Sequence, residues 1–440
     1  MVLATVTFSI PTTLEVRREC WLFSTADWPS LQSLLSSTHW QGIFGASCPE
    51  SMLANLVNYI LGAARLHTPV KYITVRKSTH PWLTPRCIEL VAAKRKAEAT
   101  PGYALLRVQC SNALRDAYSA YILRTKEQMK SLPPSSKRWW KLSKQLLFQG
   151  SQTSSIPPLQ TDSGSWALQS QAKAELFATT FSSKFSLPDP VVNEYSDIED
   201  HAAVNMTGFL PIGARSARSI LRNVREDSAS GPDLLSARIL KRCADELALP
   251  ITLLARCILE HGYWPDAWLF HWIFPLFKKK AKSKPGNYRG IHLTSQLSKV
   301  VERLLGTLFL GFLHATSAYG PNQFAYTPQR GFRDALTLNV CSWVYALSFG
   351  RRVALYCSDV SGAFDRVRSE RLLQKLKCKG VHPCILNVIA SWLRNRTGHI
   401  IVDGVKSSAF VLSNMVFQGT VWGPPLWNVF FADARHAVNG

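Results

Sequence analysis

The run RRVALYCS (351–358) ends on Asp359, and Phe364 and Asp365 follow in the next six residues. A short apolar run bounded by charge and glycine is the pattern of a buried strand, so a strand is expected over 351–358. Such a strand constrains the whole fold, because a sheet must flank it and helices must cover that sheet. A carboxylate on the end of a rigid strand is also where a metal-dependent site wants a ligand. A loop with incidental charges is the competing reading.

The metal reading has a further requirement. Mg²⁺ takes carboxylate oxygens and keeps positions for phosphate. Paired ions in phosphoryl transfer sit about 3.5–4 Å apart and clamp the attacking and leaving oxygens. One aspartate does not hold two ions, so a second carboxylate must come from another element.

Charge indicates the partner. Lysine and arginine outnumber aspartate and glutamate by 51 to 29, a net charge of +22. The surplus lies in two blocks, net +11 over 1–150 and +15 over 271–440, around a middle of net −4. A surplus confined to two blocks points to a polyanion rather than to general solubility. The ten cysteines form no C-x-x-C pair, and no leader-like segment or long apolar run occurs. The expectation is an intracellular chain, nuclear or cytoplasmic, with no membrane partner. CKGVHPC (378–384) does not have the spacing of a common zinc site, so its cysteines are expected in the core.

Periodicity divides the chain. Residues 1–186 form a basic, mainly helical region, with helices in PRCIELVAAKRKAEA and YALLRVQCSNALRDAYSAYILRTKEQMK. SSKRWWKLSKQLL (135–147) is a further helix whose Lys137 and Arg138 could grip phosphate beside paired tryptophans. Paired tryptophans also serve as core anchors. SSIPPLQTDSG reads as an extended linker and AKAELFATTFSSKF as a helix. Residues 187–227 are an acidic boundary loop and helix. Residues 228–440 alternate strands and helices: WIFPLF, a basic hairpin ending NYRGIHL, a helix capped by Ser295, two helices around Gly380–Pro383, a hairpin at Asp403–Gly404, and an apolar helix after a glycine-rich turn. An α+β fold is expected.

Lys278, Lys279, Lys280, Lys282, Lys284 and Arg289 crowd twelve residues of the basic hairpin. Such a hairpin could fold over a triphosphate, with Arg289 giving bidentate contacts. A solvated charge run and a nuclear localisation signal share that pattern.

Four motifs in order, NYRGIHL, NQFAYTPQRGFRDAL, SDVSGAFDRV and FQGTVWGPPLWNVFF, resemble the reverse transcriptase domain of non-LTR (LINE-type) retrotransposons. The resemblance covers 228–440 well and extends more weakly upstream. It implies right-hand polymerase fingers and a partial palm behind a helical N-terminal region. It implies Asp359 as a catalytic metal ligand with the Val360 carbonyl beside it, and two Mg²⁺ in a complete palm. Phe364 would be the steric gate against a 2′-hydroxyl. Lys278, Lys279, Lys280 and Arg289 would hold the deoxynucleoside triphosphate, with Gln418 and Gly419 along the nascent pair. Arg330 and Gly331 would shape the fingers. RNA template and RNA/DNA duplex would be the partners, and Asp365 would be structural.

The chain departs from the family pattern at Gly290 (usually proline), at Met415 and Phe417, and at Leu234, where GPDL replaces GPDG. These departures suggest a divergent or decaying copy. The family's double aspartate has no counterpart, since no Asp-Asp pair occurs. Asp433 in FFADA is only fifteen residues after Gln418, inside an expected helix, and is rejected as the second ligand. The chain is therefore expected to stop before the double-aspartate motif and the thumb, and to be inactive alone. An RNA-directed DNA polymerase domain is the first functional reading; a non-catalytic nucleic-acid-binding remnant or a host scaffold protein is the alternative.

Overall fold

A computed structural model describes residues 16–45, 48–75, 82–147, 156–185, 204–394 and 396–437. Of the expected boundary loop and helix over 187–227, residues 187–203 lie outside them. The elements run β1 (Val16–Trp21), α1 (Trp28–Ser36), α2 (Trp40–Phe44), α3 (Pro49–His67), β2 (Val70–Val75), α4 (Pro85–Lys96), α5 (Tyr103–Lys130) and α6 (Lys137–Leu147). Next come β3 (Leu159–Gln160), β4 (Trp166–Ala167), α7 (Ser170–Phe185), α8 (Ala214–Arg222), α9 (Ala237–Arg242), α10 (Ala244–His261), β5 (Phe270–Phe277) and β6 (Tyr288–Leu293). The last are α11 (Gln296–Ala315), α12 (Phe332–Ser348), α13 (Ser369–Cys378), α14 (Pro383–Leu393), β7 (Arg396–Val402), β8 (Val405–Lys406), β9 (Phe410–Leu412) and α15 (Gly423–Phe431).

Two compact units result, one of residues 1–20 and 72–155, the other of 21–71 and 156–440. Mixed helix and sheet agrees with the α+β expectation. The first unit holds α4 to α6, a helical set bearing the basic periodic stretches. Of the expected extended linker over 154–164, residues 156–164 are described; they carry β3 and the turn of the small β3–β4 hairpin, and Gln160 N–H donates to Ser283 O at 2.8 Å.

The second unit is built on a sheet of order β6-β5-β7-β8, with β9 on β7. β5 pairs antiparallel with β6 and parallel with β7, and β7 turns at Asp403–Gly404 into β8, as its sequence implies. Gly290 stands opposite Pro275. A Cβ at Gly290 would come within 2.8 Å of Ile273 Cγ2, so a proline ring has no room there. Pro275 lies beyond the last β7 pair, at Ile273, and its missing N–H costs the ladder nothing on that side.

Trp264, Trp268, Trp392 and Trp422 meet in the core at ring separations of 5.1–5.5 Å. Beside them Arg396 is buried between the faces of Trp392 (4.4 Å) and Phe417 (4.1 Å). Its Nε donates to Trp392 O at 2.7 Å and its Nη1 meets His271 Nε2 at 2.5 Å. A guanidinium only donates, so His271 Nε2 accepts and its Nδ1–H points to His292 Nδ1, 2.9 Å away. Both histidines are thereby fixed as neutral tautomers. Burial and the Arg396 charge hold His271 well below the ordinary imidazole value and His292 at about 3. Burial pulls Arg396 down to about 9, still charged at neutral pH. Glu302, equally buried, accepts from the N–H groups of Val421 (2.6 Å) and Trp422 (3.3 Å) at the start of α15.

Other expectations meet different outcomes. Ser295 caps α11 as its sequence implies, accepting from Ser298 N–H at 3.1 Å. Leu234 takes a left-handed φ of 59°, which explains why glycine suits this turn and marks Leu234 as strained. Cys378 is half-buried and Cys384 exposed, not core residues: Cys384 follows Pro383 on the first, outward turn of α14.

Neutral folded histidines that titrate near 6.5 when unfolded make the unfolded state bind more protons, so stability falls as pH drops below that value. Each contributes about 1.4 kcal/mol per pH unit. The buried carboxyls Asp233, Asp365 and Glu302, shifted upward, act in the opposite sense, stabilising the fold as pH falls. Comparing wild type with His292→Gln by urea unfolding between pH 6.5 and about 5 isolates the histidine term from the opposing carboxyls: the variant should lose about 1.4 kcal/mol less stability per pH unit than wild type.

Candidate active site

Four segments converge in the second unit. Val416 N–H donates to Phe364 O at 2.9 Å and Val367 N–H to Asn414 O at 2.8 Å, so the loop of Phe364 and the loop leading to Gln418 run side by side. The Phe364 ring stacks on Trp427 (6.0 Å, 14°), which stacks on Phe431, and meets Tyr326 edge-on at 6.3 Å. Tyr326 belongs to the 321–330 loop, which α15 pins. Asn428 Nδ2 donates to Ala325 O at 2.9 Å and Asn428 Oδ1 accepts from Gln323 Nε2 at 3.1 Å. Arg330 Nη1 braces the same loop through Pro321 O (2.7 Å), and Gly331 N–H is held by Asp334 Oδ2 (2.8 Å) at the start of α12.

On the opposite side lies β6. Gly419 has a φ of 94°, and a Cβ there would meet His292 O at 2.8 Å, so this backbone approach requires glycine. Gln418 is half-buried beside it. Phe417 closes the floor at 5.2 Å from His271.

The hairpin supplies the cations. Lys278, Lys279 and Lys280 are exposed at its tip. Pairing of Leu276 with Arg289 puts Arg289 on the outward face with Leu276 and Phe274, both exposed. Asp365 is largely buried, and burial raises its carboxyl. Lys278, Lys184 and Arg366 lie close enough to oppose that rise. Asp365 is thus surrounded by cations, in keeping with a structural role. Lys184, near the end of α7, was not singled out from sequence, where SSKF carries no distinguishing pattern. Burial and the Lys278 charge lower its ammonium.

Asp359 and Val360 do not join this group. The expected strand over 351–358 is not formed. The segment has no ladder partner among the described residues, and Leu355 and Tyr356 are 65% and 89% exposed. An apolar run becomes a strand only when a neighbour takes its N–H and C=O groups, and β6, the edge strand of the sheet, is paired with β5 and not with this segment. No residue of the preceding helix α12 is buried. One exposed carboxylate and one carbonyl are not the donor set of a Mg²⁺ pair, and among the described residues no three His, Cys, Asp or Glu side chains gather into a metal site. Asp433 sits in a 3₁₀ turn after α15 and pairs with Lys375 at 2.7 Å. Arg138 is exposed on α6 in the other unit; Lys137 opens that helix, its side chain lying outside the described residues.

Residues 277–440 match the family described as reverse transcriptase (RNA-dependent DNA polymerase). An RNA-directed DNA polymerase from mobile element jockey of Drosophila melanogaster is 29% identical over 302 residues, covering 67% of this chain and 32% of that protein. Its counterpart in Drosophila funebris is 25% identical over 418 residues, covering 91% and 45%. A probable RNA-directed DNA polymerase from transposon BS of Drosophila melanogaster is 25% identical over 334 residues, covering 74% and 36%. The chain thus spans less than half the length of these relatives. No helix among the described residues is long and apolar enough to cross a membrane.

If Asn428 pins the 321–330 loop, Asn428→Ala should cost about 1–3 kcal/mol. Hydrogen exchange should quicken over 321–331 while that of α11 stays unchanged.

Proposed function

We propose that this chain, whose residues 277–440 are a reverse transcriptase domain of the non-LTR retrotransposon type, binds a deoxynucleoside triphosphate and a templated end between the basic hairpin and the Phe364 loop, as part of an RNA-directed DNA polymerase. The observation that carries this reading is the convergence of three segments far apart in sequence: paired loops join Phe364 to Gln418–Gly419, and Lys278 lies near Asp365, next to Phe364. Lys278, Lys279, Lys280 and Arg289 neutralise the triphosphate. Leu276 and Phe274 beside Arg289 offer an apolar surface to a base.

Phe364 selects the sugar. Trp427 behind it and Tyr326 at its edge limit how far the ring can swing. A ring so held excludes a 2′-hydroxyl sterically, the one group that separates ribose from deoxyribose. Gly419 lets the chain pass close to β6, where a template strand would run. On this reading the arrangement would serve as fingers and a partial palm.

Asp359 and the Val360 carbonyl are the metal-side residues of the reading. Divalent ions would supply the charge that draws the primer 3′-oxygen to the α-phosphate. The exposed 351–360 segment would supply that ligand only once a neighbouring strand and a second carboxylate flank it. The same exposure favours the alternative, a nucleic-acid-binding chain without a complete metal site.

Photocrosslinking of a radiolabelled deoxynucleoside triphosphate tests the reading without needing turnover. Labelling should map to the hairpin and fall about tenfold in Lys278→Ala/Arg289→Ala, in proportion to roughly 1.4 kcal/mol of lost phosphate contact. Phe364→Ala should bring ribonucleotide labelling up to the deoxynucleotide level. Equal labelling of wild type by both sugars would remove Phe364 from the role.

A further inference from the structure

We propose that α5 and α6 carry a second surface, for single-stranded nucleic acid, which grips phosphates through lysine and arginine and stacks an unpaired base on Trp140. It does not depend on the nucleotide-site reading, since it lies in the other compact unit.

Residues 82–147 hold 13 lysines and arginines against 4 acidic residues. Their placement is ordered. On α5, Arg115, Lys126 and Lys130 are spaced by eleven and four residues, which puts them along one side of the helix over about 22 Å, and all three are exposed. Lys130 pairs with Glu127 at 2.9 Å, but both side chains are 73% exposed and the pair holds little energy. Among the described residues, Arg115 and Lys126 have no carboxylate within ion-pair distance.

α6 adds the stacking element. Lys141 and Lys144 follow Arg138 at three-residue steps, all exposed. Trp140 stands among them, 55% exposed. Trp139 is half-buried and meets Trp140 edge-on at 5.0 Å and 79°. The two tryptophans differ in exposure: Trp139 is half-buried against Trp140, and Trp140 presents its ring outward. A merely solvated charge face has no use for an exposed indole. Cations that track a backbone, with an aromatic face between them, are the elements of single-strand binding, in which any base can stack.

The test uses the whole 440-residue chain and a fluorescent oligouridylate, with affinity read across a salt series. Each phosphate contact contributes about 0.7 to the slope of log affinity against log salt. The variant Arg115→Gln/Lys126→Gln/Lys141→Gln/Lys144→Gln should lower the slope by about 3. Trp140→Ala should weaken binding roughly fivefold to a hundredfold at unchanged slope, and Trp140→Phe should restore most of it. An oligothymidylate arm tells RNA from DNA, either of which satisfies the surface. Lys278→Ala/Arg289→Ala should leave the Trp140 effect intact, so the two sites fail separately. An unchanged slope in the quadruple variant, no effect of Trp140→Ala, or equal loss with a perfect RNA duplex would overturn the proposal. So would phosphatidylserine vesicles that bind wild type and displace the RNA but do not bind the quadruple variant.

Discussion

A guanidinium buried without a carboxylate in ion-pair contact is the constraint around which the second unit is organised. Removing a charge from water costs several kcal/mol unless its surroundings replace the lost hydration. Arg396 meets that cost with two aromatic faces, the Trp392 carbonyl, a histidine lone pair and the nearby charge of Glu302. These compensations come from four different elements: α14, the loop before α15, β5 and α11. None can shift without leaving a buried charge poorly paired, so sheet, helices and the Phe417 loop are locked in one register.

That lock carries outward to the candidate site. Phe417 covers Arg396 with its ring, and Gln418 and Gly419 follow directly against β6. Through Val416 the same loop holds Phe364, and through Trp427 and Asn428 helix α15 holds both Phe364 and the 321–330 loop. Glu302 in turn holds the start of α15. Segments that would contact nucleotide or template are thus loops on a rigid, tryptophan-rich floor. Lys278, Lys279 and Lys280 are left exposed at the hairpin tip, so their charge is little desolvated.

Much of this was legible in the residues. Helices α4 to α7, α11 and α13 to α15, the hairpins at 270–293 and 396–406, and the Ser295 cap follow from spacing, turn chemistry and capping, all of which are local; α12 was not among them. Motif order drew Lys278, Phe364 and Gln418–Gly419 into one site, and three of those segments do converge. The strand at 351–358 was misread because an apolar run specifies a strand only jointly with its neighbours. The Arg396–His271–His292 network was invisible, since its members are scattered over 125 residues and no spacing rule links them.

By itself, then, the sequence determined the periodic elements, the basic blocks and the identity of the groups available to hold phosphate. Each of these depends on residues within a turn or two of one another, or on charge alone. Tertiary structure decided which groups meet. It set Lys184 near Asp365, left Trp139 half-buried and Trp140 outward, and put Phe364 against Trp427. It also left Asp359 outside the cluster, because a carboxylate becomes a rigid ligand only when the strand that carries it has partners.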